Sequence, residues 1–492
     1  MPFAIFQAVL TAAACYGVWR FARKASPIVI AGFLIRAFAA QILFWISWLQ
    51  LPIARSLQLG RGFWFFAIDG PWYLGYAQEL IARGPKALLF VTGHYPSRIF
   101  TQAFTLFCAA FGVVAPTAIL FNCVAYLATC ALIMRIGRSR KTLALAAIAF
   151  GPSMILWSLQ PLKDTFFFLL IVAFVFVCYR WQEMWRAATA PRWTSLLGCA
   201  AAMLAIVYAI SGTRWYFGAI VWGASAVFFV FAAAQTRRGA WTAVFVSQAV
   251  VFLLLSQAFR FGGDTDIPEK ILNVLQPRTL IEAKAEPLPV PVPVPVPVSV
   301  PKTVAVTAPP PAPATAPVAA PAPAPLKDYL VASRKGFEST PGATAIHAGA
   351  AAARVPVASD VAATFIPRAA AQPLKLVRIG GGRGFWLLAD FDTIVFSAVI
   401  LFAIVACVRA LRSGARITPL FLLVVLVFFA TAGPMIYSVT NFGTLFRLRQ
   451  MLYVLAAIAP LTLLVVHTDA REVNADVREE NREGDDRGQA HL

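Results

Sequence analysis

The chain contains 492 residues, of which 60% are hydrophobic and 13% are charged. Soluble globular proteins carry about 25% charged residues, so this composition excludes a soluble globule and predicts a polytopic membrane protein. The formal net charge is +20, but the Lys and Arg residues lie in short clusters between apolar segments. That pattern is typical of loops that orient a membrane protein, and it argues against nucleic acid as a partner.

Apolar segments of bilayer length follow one another along the chain. A first span is predicted at residues 3–19 and a second at 27–53, with Arg36 inside the second. Residues 94–112 are also apolar but short, and we expect a helix at the membrane surface there, because this assignment keeps the later basic loops cytoplasmic. The remaining spans are predicted near residues 116–134, 142–158, 165–179, 194–211, 215–233, 240–259, 385–409, 417–438 and 450–467. The predicted fold is an all-α polytopic membrane protein with about 11 transmembrane helices, starting outside and ending inside.

These spans divide the chain into two membrane modules. Residues 1–259 form the N-terminal module, whose first outer loop is 54–115, and residues 385–468 form the C-terminal membrane helices. The outer segment 260–384 is rich in Pro and Ala, a composition that favours a solvated polyproline conformation, so it is predicted to be largely disordered. The charged tail 469–492 is predicted to be disordered in the cytoplasm.

The first outer loop places the carboxylate of Asp69 between apolar blocks of the stretch 60–84. Tyr73, Tyr76 and the apolar residues after them recur at a spacing that predicts a short amphipathic helix along the membrane face. Two interpretations of Asp69 stay open. It is placed to cap this helix ahead of Pro71, and a carboxylate at such a depth is also costly unless it has a partner or a chemical role.

Other polar residues on the predicted outer side are candidates for binding an anionic substrate. They are His94, Tyr95 and Arg98 in HYPSR, Lys163 and Asp164 in SLQPLKD, Arg214 in SGTR, and Arg447 and Arg449 in FRLRQ. Arginine suits phosphate because its planar fork makes two parallel hydrogen bonds. Arg447 and Arg449 also break the positive-inside pattern, so their position requires a reason.

Several candidates have structural alternatives. Asp164 is placed to cap the span that begins there, and Lys163 to extend its ammonium group toward the membrane surface. His94 and Tyr73 fit interfacial residues as well as substrate ligands.

Charged residues inside or beside the spans also allow either a structural role or a role in a site. Arg36 is expected to pair with an acid or a lipid phosphate, unless a tilt of its helix lets the side chain reach the surface. Asp390 and Asp392 point to different faces of one helix, so at most one of them can enter a shared site.

A longer pattern joins several of these positions. It runs Asp69-x3-Tyr73-x3-Ala77-x2-Leu80-x3-Gly84, then Tyr95-Pro96, then an apolar helix ending at Phe111-Gly112 and a span running into Arg138. This pattern resembles the first third of the GT-C membrane glycosyltransferases, a superfamily that includes protein O-mannosyltransferase-like and aminoarabinose-transferase-like enzymes. The resemblance covers roughly residues 27–180 and the late loop TNFGTLFRLRQ.

The resemblance implies a GT-C-like fold with juxtamembrane helices in the first outer loop and a polyprenyl-phosphate sugar as donor. It also implies that an acid of this loop acts as base toward the acceptor, a role that falls on Asp69. Many relatives have an acidic pair where this chain has Asp69-Gly70, so no cofactor is predicted and a divalent-metal role stays open. No folded outer domain follows the last span, so acceptor recognition must come from elsewhere.

The sequence therefore predicts an inverting glycosyltransferase at the outer face of a bacterial-type inner membrane, with Asp69 as the catalytic residue. The acceptor is a glycan, a lipid or a protein, and the predicted partners are the donor, the acceptor and membrane lipids. The substrate-binding candidates are Tyr73, His94, Tyr95, Arg98, Lys163, Asp164, Arg214, Arg447 and Arg449. The alternatives are a transporter or flippase of lipid-linked sugars, which predicts charges near mid-membrane and broken helices in matching halves, a polymerase or ligase of lipid-linked glycans, and a non-catalytic assembly partner.

Overall fold

The structure, a computed structural model, describes residues 2–21, 26–89, 97–136, 141–186, 193–235, 248–249, 383–438 and 442–463. Most of these residues are helical. The Pro- and Ala-rich segment, the charged tail and nearly all of the span predicted at 240–259 lie outside these ranges.

The first part of the chain forms two long helices and then a loop of short elements. The long helices are α1 (Pro2–Phe21) and α2 (Ser26–Trp48). The loop contains strands β1 (Gln58–Gly60) and β2 (Phe63–Trp64), and helices α3 (Asp69–Ala82), α4 (Pro85–Leu89) and α5 (Arg98–Phe111). Single 3-10 turns at Arg55–Leu57 and Phe65–Ala67 flank the strands.

The second part forms the rest of the helix bundle. Its described helices are α6 (Ala115–Ile136), α7 (Lys141–Phe150), α8 (Pro152–Leu156), α9 (Asp164–Arg186), α10 (Trp193–Thr213), α11 (Trp215–Ala234), α12 (Arg383–Arg412), α13 (Pro419–Ser438) and α14 (Phe442–Ile458). A 3-10 turn, Ala459–Thr462, follows α14.

Helices α6, α9, α10, α11, α13 and α14 pack in succession, and α2 and α7 complete the bundle. The main hydrophobic core runs through their facing sides and contains large buried side chains such as Phe167, Phe217 and Tyr453. In contrast, α2 leaves Phe38, Ile42 and other apolar side chains exposed on its outer face. An apolar outer face of this kind suits contact with lipid rather than water.

Six of the described helices have the length and apolar composition needed to cross a bilayer. Their spanning segments are Pro27–Trp48, Ala115–Ile136, Asp164–Met184, Thr194–Thr213, Trp215–Ala234 and Asp390–Arg412. The chain is thus a membrane-embedded, mostly helical protein, whereas the predicted total of about 11 spans is not confirmed. Helices α5, α7 and most of α13 are apolar but shorter.

One predicted span, 142–158, is interrupted in the structure. Helix α7 ends at Phe150, and the separate helix α8 begins at Pro152. Pro152 has no backbone N–H to continue the ladder, so the chain breaks at this point. Gly151 is required here because a Cβ atom would lie 2.8 Å from the Ala147 carbonyl oxygen and 3.2 Å from the Tyr453 ring.

Arg36 provides a partner for the broken end of α7. Its guanidinium donates to the Ile148 and Ala149 carbonyl oxygens at 2.6 and 2.8 Å, and it lies 4.1 Å from the centre of the Tyr126 ring. A cation at a helix C-terminus satisfies carbonyls that have no partner within the helix. The expectation of an acid, a lipid phosphate or an extension to the surface was therefore wrong for Arg36, which is buried.

Helix α5 lies within the segment 94–112, where a helix at the membrane surface was predicted, and it packs on α3. Phe100 and Phe104 are fully buried on one face of α5, where Phe100 meets the Tyr73 ring edge-on at 4.8 Å between centroids. Ahead of α3, the β1–β2 hairpin pairs Gln58 with Trp64 across an irregular antiparallel register. This packing holds the start of α3 against the end of the bundle.

Candidate functional site

The candidate site is organised by Arg447, near the start of α14. Its Nη1 donates to Asp69 Oδ2 at 2.8 Å, and its Nε donates to Asp164 Oδ2 at 2.9 Å. These partners lie 378 and 283 residues away along the chain. One guanidinium therefore joins the starts of three helices, α3, α9 and α14, at one end of the bundle.

Asp164 is shared by two arginines. Its Oδ1 accepts a hydrogen bond from Arg214, which lies between α10 and α11, while its Oδ2 accepts from Arg447. Arg214 also donates to the Tyr216 hydroxyl at 2.8 Å. The side chains of Asp164 and Arg214 are 1% and 5% exposed, so removing one member would leave the other charged and buried, at a cost of about 3–5 kcal/mol.

Asp69 differs from Asp164 in its exposure. Its side chain is 43% exposed, against 1% for Asp164. The residue preceding α3 is Ile68, and no side chain caps this helix, so the Asp69 carboxylate is committed to Arg447 instead of to the helix N-terminus. Of the two carboxylates that bind Arg447, Asp69 is the one that a second molecule can reach.

A second set of polar groups surrounds Lys163, directly before α9. Its Nζ donates to Ser97 Oγ at 2.6 Å. Burial and the nearby Arg214 and Arg447 lower the pKa of Lys163 to about 8. Burial raises the pKa of Tyr73 to about 12, so this phenol keeps its proton at neutral pH.

Ser97 is a site residue that the sequence reasoning missed. It precedes α5 with φ 54° and ψ 51°, a left-handed conformation that is costly for a residue with a Cβ atom. Its hydroxyl does not cap α5, although Ser is a common cap. It accepts a hydrogen bond from Lys163 instead. The combination HYPSR followed by an apolar helix was the available signal, but it pointed equally to capping.

Aromatic side chains form one wall beside Arg447. The Arg447 guanidinium lies 5.5 Å from the centre of the Trp157 ring. Trp157 in turn meets Phe66 and Phe446 at 5.9 and 6.0 Å between ring centroids. Trp157 was not predicted as a site residue; it comes between the broken helix and Lys163, where an apolar environment alone explains an aromatic residue.

Arg449, a predicted substrate ligand, does not join Arg447. It donates to Asp392 Oδ2 at 2.6 Å and to Thr393 Oγ1 at 2.7 Å, and both members of the ion pair are 1% exposed. Residues two apart on a helix face different directions, which explains why Arg447 and Arg449 serve different networks. Asp390 is also buried.

Of the other predicted ligands, one lies among the described residues and two do not. Arg98 begins α5, directly after Ser97. His94 and Tyr95 lie outside the described residues. Across the described ranges, no three His, Cys, Asp or Glu side chains are grouped as they would be in a metal site.

Comparison of the chain with family models, curated proteins and solved structures found no match. The fold and the site define a class by themselves: a membrane-embedded helical protein with a charged centre at one end of its bundle.

Proposed function

We propose that this protein is a membrane glycosyltransferase that moves a sugar from a polyprenyl-phosphate donor to a hydroxyl of a glycan, lipid or protein. We place the reaction at the outer face of a bacterial inner membrane. The observation that carries the proposal is the Arg447 bridge, which brings Asp69, Asp164 and Arg214 together from loops predicted to share one side of the membrane. The resemblance to GT-C enzymes supports the same assignment.

The charge and hydrogen-bonding state of the site favour an anionic ligand. Three cations, Lys163, Arg214 and Arg447, face two carboxylates, Asp69 and Asp164, which leaves one excess positive charge. Buried donor atoms of the site also lack a hydrogen-bond partner within the described structure: Trp157 Nε1, Arg214 Nε and Arg447 Nη2. Unpaired buried donors are costly, and an entering phosphate diester offers acceptor oxygens.

In the proposed reaction, Asp69 takes the proton of the acceptor hydroxyl as its oxygen attacks the anomeric carbon of the sugar. The bond from that carbon to the donor phosphate oxygen breaks, and its electrons leave with polyprenyl phosphate. Lys163 and the arginines stabilise the charge that develops on this leaving group. A single displacement inverts the anomeric configuration, and no covalent sugar-enzyme intermediate forms.

The test compares purified wild-type protein with Asp69→Asn in transfer from a panel of radiolabelled polyprenyl-phosphate sugars. Loss of a general base lowers kcat by about 10²–10⁴-fold, with little change in the KM for donor. Glu79→Gln is the matched control, because Glu79 is a carboxylate on the same helix that pairs with the exposed Arg83, and it should retain full activity. Equal transfer by the wild type and Asp69→Asn would remove Asp69 as the base. Absence of both transfer and donor binding across the panel would count against the proposed function.

Transport of a lipid-linked sugar remains the second candidate, because two observations favour it. Helix α7–α8 is broken, and Asp392 and Arg36 are charged groups buried within predicted spans. All of these groups are internally paired, which argues against a path for cargo. A reconstituted vesicle assay separates the two functions: a flippase moves the labelled lipid across the bilayer without an acceptor, and a transferase, polymerase or ligase requires one.

A further inference from the structure

One buried carboxylate, Asp392 on α12, is hydrogen-bonded to both α8 and α14, which lead to different parts of the candidate site. Its Oδ1 accepts a hydrogen bond from the Ser153 backbone N–H at 2.8 Å, and its Oδ2 accepts from Arg449 Nη2 at 2.6 Å. Asp392 is fully buried. It lies outside the charged cluster around Arg447, and its two partners belong to α8 and α14.

The first connection runs from Ser153 to the Lys163 loop. The Ser153 N–H binds Asp392, and its carbonyl accepts from Gln450 Nε2 at 3.2 Å. The chain then continues through Trp157 to a loop whose carbonyls at Ser158 and Gln160 accept from Asn122 Nδ2 at 3.0 and 2.6 Å. This loop ends at Lys163 and Asp164, so the position of α8 determines where those two side chains begin.

The second connection runs from Arg449 to Arg447. Arg449 is held by Asp392 and by Thr393 Oγ1, which fixes both the rotation and the axial position of α14. Arg447 leaves the same helix two residues earlier, in a different direction. Its guanidinium must reach Asp69 and Asp164 at 2.8 and 2.9 Å at once, and a small rotation of α14 would break at least one of these bonds.

We propose that Asp392 is a positioning residue for the transfer reaction, since it holds α8 and α14 in the register that brings Arg447 to the Lys163 loop. This inference rests on the proposed function. A buried apolar pair could stabilise the bundle equally well, but it lacks the directional bonds of an ion pair. The directional bonds of Asp392 act on two elements that each carry part of the candidate site, which is why we assign it a role beyond stability.

The experiment is a double-variant cycle with Asp392→Asn and Arg447→Met, read as kcat and donor KM. Alone, Asp392→Asn should lower kcat about tenfold, because misplacement of a catalytic group by about 1 Å can cost up to 10²-fold, and the donor KM should change less than about threefold. In the Arg447→Met background the same change should lower kcat less than about twofold. Full multiplication of the two effects would overturn the inference.

Gln182→Met is the control for general loss of stability. Gln182 is buried and accepts the Leu420 backbone N–H at 3.1 Å, so it forms a similar bond between α9 and α13. It lies near the opposite end of α9 from Asp164. It should lower the unfolding temperature in detergent and leave kcat unchanged. If Gln182→Met lowers kcat as much as Asp392→Asn at equal loss of stability, Asp392 is only structural.

A replacement variant and a second measurement distinguish a failure of this inference from a failure of the proposed function. If Asp392→Asn does not fold, Arg449→Lys replaces it, because Lys keeps the charge but cannot bind Asp392 and Thr393 with one planar group. The cycle is also measured as unfolding temperature, which needs no transfer reaction. Non-additive temperatures would show that Asp392 is coupled to Arg447 even if no transfer is detected, whereas additive temperatures and additive kcat values would reject the positioning role.

Discussion

The proposed function predicts that donor binding depends on pH, because the pKa of Lys163 is lowered. A free lysine has a pKa of about 10.4, whereas burial and the nearby arginines lower the pKa of Lys163 to about 8. The protonated fraction therefore falls from about 90% at pH 7 to about 10% at pH 9. If only the ammonium form binds the donor phosphate, the donor KM should rise about tenfold over this range, in proportion to the loss of the competent form.

The assay measures the donor KM from pH 6 to pH 10 for the wild type and for Lys163→Arg. Arginine stays charged throughout this range, so the variant should lose the rise in KM above pH 8. Lys86→Arg, on the exposed part of α4, is the matched control and should keep the wild-type profile. A rise in KM that persists unchanged in Lys163→Arg would refute the assignment of this lysine to the donor phosphate.

Two further predictions concern Arg447 and the neighbouring Trp157. Arg447→Lys should lower kcat about 10- to 100-fold, because one ammonium cannot reproduce the Nη1 and Nε bonds to Asp69 and Asp164; initial rates at saturating donor check this, and wild-type rates would contradict it. Trp157→Phe keeps an aromatic ring but removes the unpaired buried Nε1–H, so the donor KM should rise about tenfold, as expected for a hydrogen bond to a charged group. Trp64→Phe, which removes an indole bonded to the Leu43 carbonyl, is the control, and an equal change in KM for both variants would refute a ligand role for Trp157.

Much of the helical architecture could be predicted from hydropathy, because apolar runs of bilayer length leave few alternatives. The pair Gly151-Pro152 indicates the break within 142–158, but the apolar length of this segment favoured a single span. The end of the bundle that carries the site was predicted from the distribution of basic loops. The number of spans was less predictable, because apolar segments such as 142–158 and 417–438 contain helices shorter than a full span.

The site was predictable as a set of loops but not as a set of contacts. Charge and an unusual location singled out Asp69, Asp164 and Arg447, and these residues do meet. Arg449 had the same charge and nearly the same position, yet it binds Asp392, because the rotation of α14 separates residues two apart. The HYPSR stretch fitted a helix cap equally well, and only the fold reveals that Ser97 contacts Lys163.

The Arg447 bridge has a consequence for the order in which the protein is made. Asp69 is synthesised 378 residues before Arg447, and Asp164 is already buried against Arg214 within the first half of the chain. A nascent chain that has not yet inserted α14 therefore has an acid on α3 without the cation that orients it. The charged centre is completed only when the last described helix enters the bundle, so an incompletely inserted protein would lack the Arg447 bridge.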